Sequence, residues 1–441
     1  MKLRHYIYSV MLSVLITTLT SAPVSASDLA EIYSQAKQHD PQFLSSTATY
    51  RANQEIGNQS SGDWYPKINL TGQVTDNSQT VTSSGSTSKY DLENKSYALK
   101  LTQPLFNADK WAQLDVASAQ VKQAEAVYTD AKQALVLRAA EGYFNLLSAQ
   151  DDLTFSTAER KAIKEQLYLI QQRFNVGLIA ITDVHEAQAR YDLSESNYII
   201  AENSVNIEKE KLRELTGQLP GDISTLKAET PLLNPEPNDI QAWVETALKS
   251  NASLMAAENA QRAALAQISK QQAGHYPQLD LVAQHAYSDV GNSFFPGRET
   301  EDNSLSLQMS MSLFEGGVVN SRTRQARYEH QARQYDFEKS KRAAEREARS
   351  AYLNVISSIS TVKALAQATL SNEKRLEATQ AGFEVGTRTA VDVLNAQQEL
   401  FDARRNHANA RYIYILQTLR LKSAAGILAD NDIQLINNWL Q

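Results

Sequence analysis

The chain contains one sequence unit twice. Phe174–Gly177 (Phe-Asn-Val-Gly) is followed by Asp183, and Phe383–Gly386 (Phe-Glu-Val-Gly) is followed by Asp392, with a valine after each aspartate. The two matches share one offset of 209 positions, from 183 to 392. Because internal similarity at a fixed offset marks a repeated structural unit, we expect two copies of one unit with the same order of elements.

A proline-rich stretch at 218–239 separates the copies and holds four of the ten prolines in the chain. Proline interrupts both helices and central strands, so this stretch is predicted to be a linker. The first repeat then covers 27–217 and the second 240–426, followed by a C-terminal tail at 427–441.

Each repeat has a long tract that is free of proline and rich in the strong helix formers Ala, Gln, Glu, Lys and Arg. The main interior breakers are Gly177 and Gly386. Each tract therefore predicts a helix of roughly 100 Å, at ~1.5 Å per residue, then a tight turn and a return helix. The predicted helices are upper helices 29–61 and 240–273, long helices 108–176 and 317–385, and return helices 182–216 and 391–425.

The first long helix carries a coiled-coil pattern. Apolar residues recur every seven positions, and alanines follow each of the first three by three positions: Leu114, Val121, Tyr128 and Leu135, with Ala117, Ala124 and Ala131. This spacing is typical of the contact line of a left-handed coiled coil. With the glycine turns, it predicts antiparallel helical hairpins.

A different period marks the strands. From Leu305 to Leu313 every second residue is apolar, and the residues between them are small and polar or amide-bearing. This alternation suits lipid on one face and water on the other, although a half-buried soluble sheet remains the alternative. The predicted strands are about 66–76, 95–105, 277–287 and 304–314, joined within each pair by polar loops at 76–94 and 288–303.

Four strands cannot close a membrane barrel, because such barrels begin at about eight strands. The chain must therefore contribute to a shared barrel, with eight strands from two copies or twelve from three. The predicted fold class is mainly α with a small β part, and the residues alone leave the number of copies open.

The N-terminus indicates export. Residues 1–26 resemble a secretory signal, with Lys2 and Arg4 before an apolar run and small residues at the cleavage site after Ala26. An N-terminal anchor is the alternative, but the run is shorter than the ~20 apolar residues that a span requires. The remaining sequence has no comparable run, so strands are the predicted membrane-crossing elements.

Composition excludes several classes of function. The chain has no cysteine and a formal net charge of −7. It therefore lacks disulfides, thiolate catalysis, cysteine-bound zinc and a cysteine-linked lipid anchor, and its acidic balance argues against nucleic-acid binding. The histidines are scattered without ligand spacing, and no phosphate loop or nucleophile motif is present. We expect no enzymatic activity, no cofactor and no bound metal.

The turns carry a family resemblance. Residues 173–184 (Arg-Phe-Asn-Val-Gly-Leu-Ile-Ala-Ile-Thr-Asp-Val) and 385–394 (Val-Gly-Thr-Arg-Thr-Ala-Val-Asp-Val-Leu) look like the hairpin tips of outer-membrane channel-tunnel proteins, the outer membrane factors. The similarity extends over essentially the whole mature chain. It implies a homotrimer in a Gram-negative bacterium, with twelve strands in an outer-membrane barrel and twelve helices in a periplasmic tunnel.

The resemblance also implies a function. Such a passive duct contacts outer-membrane lipid and docks through its tip with a periplasmic adaptor and an inner-membrane transporter of the RND, ABC or MFS class. Its cargo would be drugs or proteins of type I secretion. The rival interpretation is a soluble periplasmic coiled-coil adaptor or structural protein, for which the heptads alone would suffice.

At the predicted periplasmic entrance, Asp392 matches an aspartate that the family directs into the pore. A ring of carboxylates there would attract cations and repel anions. The alternative is a solvated acid that stabilises the first turn of its helix. Asn395 stands where the family has a second aspartate, so we expect weaker cation block than in an entrance with two carboxylate rings.

Further tip residues resemble links that hold the entrance closed. Arg388 with Thr182 and Asp183 would form a charge-assisted link between neighbouring hairpins. Phe383 replaces a family tyrosine and so lacks one hydroxyl bond, and Gln166 and Gln172 match other polar members. Thr182 and Asp183 have a second interpretation as plain N-cap residues of the return helix.

Overall fold

The computed structural model of the protein describes residues 27–291 and 298–441. The predicted signal at 1–26 lies outside these residues. The helices are α1 (Leu29–His39), α2 (Pro41–Gly62), α3 (Ala108–Asn175), α4 (Ile181–Thr216), α5 (Ile240–Ser250), α6 (Ala252–Gln272), α7 (Val318–Glu384), α8 (Ala390–Ala424) and α9 (Asp430–Asn437). The strands are β1 (Lys67–Ser83), β2 (Ser86–Asn107), β3 (Gln278–Gly291) and β4 (Arg298–Ser310).

Both repeats follow one order: two short helices, a strand pair, a long helix and a return helix. The long helices α3 and α7 contain 68 and 67 residues, or about 100 Å each. Strand β2 passes straight into α3, because the Asn107 side chain accepts a hydrogen bond from the Lys110 amide at 3.2 Å and caps the helix. In the part of the chain that the structure describes, none of the helices is long and apolar enough to cross a membrane.

The return helix α4 has 36 residues, so it can cover only about half of α3. The half of α3 that carries the heptads packs instead on the upper helices α2 and α6. Tyr128 lies between Phe43 and Tyr50, with ring centroids 5.9 and 4.8 Å away. Each long helix is therefore flanked by two sets of shorter helices placed end to end.

Each upper helix, predicted as one element at 29–61 and at 240–273, is two helices. The first breaks at Asp40, whose ψ of 113° is extended, because the following Pro41 disfavours a helical residue before it. The second breaks at Asn251, where no proline follows. There the Asn251 side chain accepts the Leu254 amide at 3.0 Å and starts α6. The single-helix prediction was wrong at both positions.

The strands form one antiparallel sheet in the order β1-β2-β3-β4. The polar loop predicted at 76–94 is wrong: β1 and β2 continue through it and turn at Ser84 and Gly85, whose φ values are 50° and 83°. Polar composition misled the prediction because backbone pairing needs no apolar side chains. Positive φ at both central positions suits a tight hairpin turn.

The second strand pair also differs from its prediction. β4 begins at Arg298 and ends at Ser310, short of the predicted 314. It ends there because its neighbour β3 begins at Gln278, the pairing partner of Ser310. The polar loop predicted at 288–303 is wrong at both ends, since β3 continues to Gly291 and β4 already begins at Arg298.

The sheet has one apolar face and one polar face. A row of four paired residues on one face is apolar across all strands: Ile68, Leu101, Ala283 and Leu305. The next row, on the other face, is polar throughout: Asn69, Lys100, Gln284 and Ser304. Successive residues of a strand point to opposite faces, so the alternation seen in the sequence extends across the whole sheet.

The main core lies around the middle of α3 and α8. Tyr143, Phe144 and Tyr414 are fully buried there, and the Tyr143 hydroxyl donates to the Ser224 carbonyl oxygen at 2.6 Å. The linker and the C-terminal segment join this core, since Leu226 pairs with Leu440 in an antiparallel bridge. The C-terminal segment predicted as a tail at 427–441 is therefore packed against the core.

Candidate functional site at the hairpin tips

The two hairpins turn through the same backbone device. Gly177 and Gly386 both have φ near +80°, a conformation that costs other residues energy. In the first tip the Leu178 amide donates to the Arg173 carbonyl at 2.9 Å, and in the second the Thr387 amide donates to the Gly382 carbonyl at 2.8 Å. These bonds satisfy the last carbonyls of each long helix.

The tips pack against one another through a small apolar cluster, which we call the tip cluster. Its buried members come from α3, α4 and α8: Ile163, Leu167, Ile170, Ala187, Ala390 and Leu394. Phe383 packs at its edge, and the Arg173 guanidinium lies 4.3 Å from the centre of the Phe383 ring. That separation is typical of a cation–π contact. Phe383 therefore links the two hairpins even though it lacks the hydroxyl of a tyrosine.

Asp392 lies in the first turn of α8 and caps it. Its Oδ2 accepts hydrogen bonds from the amide and the hydroxyl of Thr389, both at 2.9 Å, and the Asp392 amide donates to Thr389 Oγ1 at 3.2 Å. The Thr389 amide, then its hydroxyl, then the charge of Arg388 lower the pKa of Asp392. The carboxylate is therefore held charged, and its capping bonds both end on Oδ2.

Asn395, one turn further along α8, accepts a hydrogen bond from an arginine of the other hairpin. Arg190 on α4 donates through Nη2 to Asn395 Oδ1 at 3.0 Å. The same guanidinium donates through Nη1 to Gln398 at 2.9 Å. At the position where the family has a second aspartate, the amide of Asn395 therefore accepts a hydrogen bond from the guanidinium of Arg190.

Arg388 is exposed on the second turn and contributes its charge to Asp392. Among the ion pairs of residues 27–291 and 298–441 of one chain, none joins Arg388 to Asp183. Gly382 lies directly beside the arginine, since a Cβ built there would be 2.7 Å from Arg388 Cγ. The absence of a side chain at 382 therefore leaves the space that the Arg388 side chain occupies.

The interpretation of Thr182 and Asp183 as N-cap residues is wrong. The N-cap of α4 is Ala180, and no side-chain hydrogen bond caps that helix. Thr182 and Asp183 fall inside the first turn, with Thr182 exposed and Asp183 partly exposed. On α3, Gln166 is half-buried and Gln172 is exposed. These four side chains are available to neighbours outside the chain.

Sequence reasoning missed Arg190, Gln398 and Arg173. A signal for the first two existed, because Arg190 follows Asp183 by seven residues and Gln398 follows Asn395 by three, spacings that share a helix face. No pattern within one helix reveals that the two faces meet. In the described part of the chain, no group of three or more His, Asp or Glu side chains could hold a metal ion.

Two stretches of the chain, 32–218 and 243–427, match the family model described as Outer membrane efflux protein. The chain belongs to this family. The two matched stretches correspond to the two repeats, which confirms the internal duplication. The family consists of channel and transport proteins, and membership places the chain in the outer membrane as an export duct whose tunnel extends into the periplasm.

The relatives agree with this assignment. Outer membrane protein TolC of Vibrio cholerae is 39% identical over 427 residues, covering 96% of each chain. Alkaline protease secretion protein AprF of Pseudomonas aeruginosa is 28% identical, covering 92% of this chain and 86% of the relative. The solved CmeC outer membrane channel of Campylobacter jejuni is 13% identical with a TM-score of 0.78, covering 100% of this chain and 98% of the other, and shares the fold.

Proposed function

We propose that three copies of the chain form one closed channel across the outer membrane. The carrying observation is the two-faced sheet, whose edge strands β1 and β4 have no partner on their outer sides among residues 27–291 and 298–441 of the chain. Edges of 17 and 13 residues are normally paired or covered, and a membrane barrel needs at least about eight strands. Three copies give a twelve-stranded barrel. Two copies would give eight strands, and native mass spectrometry distinguishes a dimer from a trimer.

In this assembly the row containing Ile68 and Leu305 faces outer-membrane lipid, and the row containing Asn69 and Ser304 faces water. The continuity from β2 to α3 supports a tunnel that extends the barrel lumen into the periplasm. The duct acts without bond chemistry. We propose that its tip docks with a periplasmic adaptor and an inner-membrane transporter of the RND, ABC or MFS class.

Drug efflux and type I protein secretion are the two routes we propose. The family description names efflux, and the relative AprF is named for secretion of a protease. A passive duct can serve both, because the pump and adaptor select the cargo.

The closed entrance is proposed to lie at the tips. A ring of Asp392 carboxylates would bind cations there through the oxygens that the capping bonds leave available. Asn395 leaves the second ring neutral, so we expect weaker block by trivalent cations than two carboxylate rings would give. Arg388 would reach Thr182 and Asp183 of a neighbouring copy, with Gln166, Gln172 and Phe383 nearby.

Purified protein in detergent tests this proposal. We expect heat-modifiable oligomers with the mass of three chains and small, cation-blocked currents in planar bilayers. Arg388→Ser should raise the closed-state current, whereas Arg346→Ser, at an exposed arginine of α7, should not. A soluble monomeric protein without channel activity would refute the duct and favour the coiled-coil adaptor.

A further inference from the structure

Arg190 connects the two return helices at the tips through a single guanidinium. Its Nη1 and Nη2 donate to Gln398 and Asn395 on α8 at 2.9 and 3.0 Å, and its Nε donates to Glu186 on α4 at 3.3 Å. The donors of the planar fork are thus directed at three acceptors on two helices. Glu186 lies one turn before Arg190 and orients it, since residues four apart share a helix face.

The duplication shows that this bridge is particular to the first hairpin. The position equivalent to Arg190, 209 residues on, is Glu399, and the position equivalent to Gln166 is Arg375. In the second hairpin Arg375 and Glu399 pair with each other, between α7 and α8. In the first hairpin Gln166 offers Arg190 no charge, and the arginine reaches the other hairpin. Equivalent positions therefore differ in their partners: Glu399 binds the long helix of its own hairpin, whereas Arg190 binds the return helix of the other hairpin.

The bridge restricts motion that the remaining tip contacts permit. The tip cluster is apolar, and apolar contacts have no preferred direction, so they fix the position of α8 along α4 less closely than hydrogen bonds do. The two bonds of the fork depend on distance and angle, so a shift of α8 along α4 breaks them. Asn395 and Gln398 lie one and two turns beyond Asp392 on α8. Any movement of the Asp392 carboxylate relative to the first hairpin therefore strains this bridge.

We propose that Arg190, held by Glu186 and bound to Asn395 and Gln398, is a latch within each protomer that must open before the entrance widens. The proposal rests on the proposed function, since a latch acts only in a tunnel whose tip opens. It differs from the Arg388 link, which joins neighbouring copies. Asn395 is then a partner of the latch as well as a neutral position in the entrance.

Single-channel recording on the full-length assembled protein tests the latch. Arg190→Gln should raise the probability of the open state by about tenfold, the effect of losing roughly one net hydrogen bond to a charged group. The matched control is Arg160→Gln. Arg160 binds Glu195 at 3.0 Å within the first hairpin, and its side chain is 29% exposed, the same as that of Arg190. Arg160→Gln should leave the open probability unchanged.

A charge exchange separates a latch from a merely structural role. Arg190→Glu and Asn395→Arg should each open the channel. The double variant, which pairs a glutamate at 190 with an arginine at 395, should restore closure to within about threefold of wild type, because the new pair is charge-assisted. Loss of closure in the double variant equal to the sum of the single effects would overturn the latch.

The outcomes also separate this proposal from the proposed function. If wild type is closed and Arg388→Ser conducts while Arg190→Gln matches wild type, the latch fails and the duct stands. If wild type forms no channel, both fail. Should Arg190→Gln not assemble, Arg190→Lys decides, because lysine keeps the charge but cannot bind two acceptors as a fork. Arg190→Lys should open the channel partly, and behaviour identical to wild type would refute the latch.

Discussion

Gly426 lies against the end of α5 so closely that a Cβ on it would be 2.1 Å from the carbonyl oxygen of Ser250. The second residue after α8 thus contacts the break between α5 and α6, where Asn251 Nδ2 donates to the carbonyl of Ala424, the last residue of α8, at 3.0 Å. This contact joins the end of the second return helix to the upper helices of its own repeat.

The first prediction compares two glycines with similar backbone angles. Gly426→Ala should prevent assembly or lower the melting temperature sharply, because backbone atoms of Ser250 and Asn251 occupy the space. Gly177→Ala has the same positive φ but nothing within 4 Å, so it should cost only about 1–2 kcal/mol. Thermal unfolding by circular dichroism measures both. Equal melting temperatures for the two variants would contradict the close contact.

The second prediction concerns the contact of Arg173 with Phe383. Phe383→Ala removes the ring from the cation and from the tip cluster, and should increase closed-state current in bilayers. The cation–π contact alone is worth about 0.5–1 kcal/mol at a partly exposed site. Phe383→Tyr keeps the ring and should stay at least as closed as wild type. Indistinguishable currents in the alanine and tyrosine variants would show that the ring has no role in closure.

The third prediction is a pH dependence at the entrance. The bonds from Thr389 lower the pKa of Asp392. The folded carboxylate therefore remains charged even below the ordinary pKa of an aspartate, and it loses its charge only as pH falls through the lowered pKa. Block by trivalent cations should therefore be constant from about pH 7 to pH 5, since ordinary aspartates titrate near ~3.9. Thr389→Ala removes one donor and should shift the loss of block to higher pH.

Asp392→Asn provides the control for that experiment and should weaken block at every pH. A wild-type block that declines with a midpoint near about pH 6 would instead indicate another titrating group, such as a histidine.

The fourth prediction concerns the buried pair of Glu159 on α3 and Arg405 on α8. Burial raises the pKa of Glu159, and the Arg405 charge partly opposes this. A raised folded pKa gives stability that is present below the unfolded pKa and is lost as pH rises through the folded pKa. Arg405→Ala leaves the carboxylate unpaired and should destabilise the protein by about 3 kcal/mol at pH 8, with a smaller deficit at pH 5 as Glu159 binds a proton.

Melting temperatures at both pH values measure this deficit. The exposed pair Arg213 and Glu210, at 3.3 Å, supplies the control, and Arg213→Ala should have little effect at either pH. A deficit for Arg405→Ala that does not depend on pH would show that Glu159 remains ionised without its partner.

Local sequence determined much of this protein. The glycines at 177 and 386 fix the turns because few residues tolerate positive φ, and the alternation from Leu305 to Met309 fixes the two faces of β4 because side chains alternate along a strand. The repeat offset adds that both halves share one plan.

Tertiary structure decided what no local pattern contains. The hairpin turn at Ser84 lies inside a polar run that sequence could not distinguish from a loop, because strand pairing is made by the backbone. Arg190 could have paired with the long helix α3 of its own hairpin, as Glu399 pairs with α7 in the second. Its bond to Asn395 exists only because α4 and α8 are brought side by side by the packing of the tip cluster, a contact between residues about 200 positions apart.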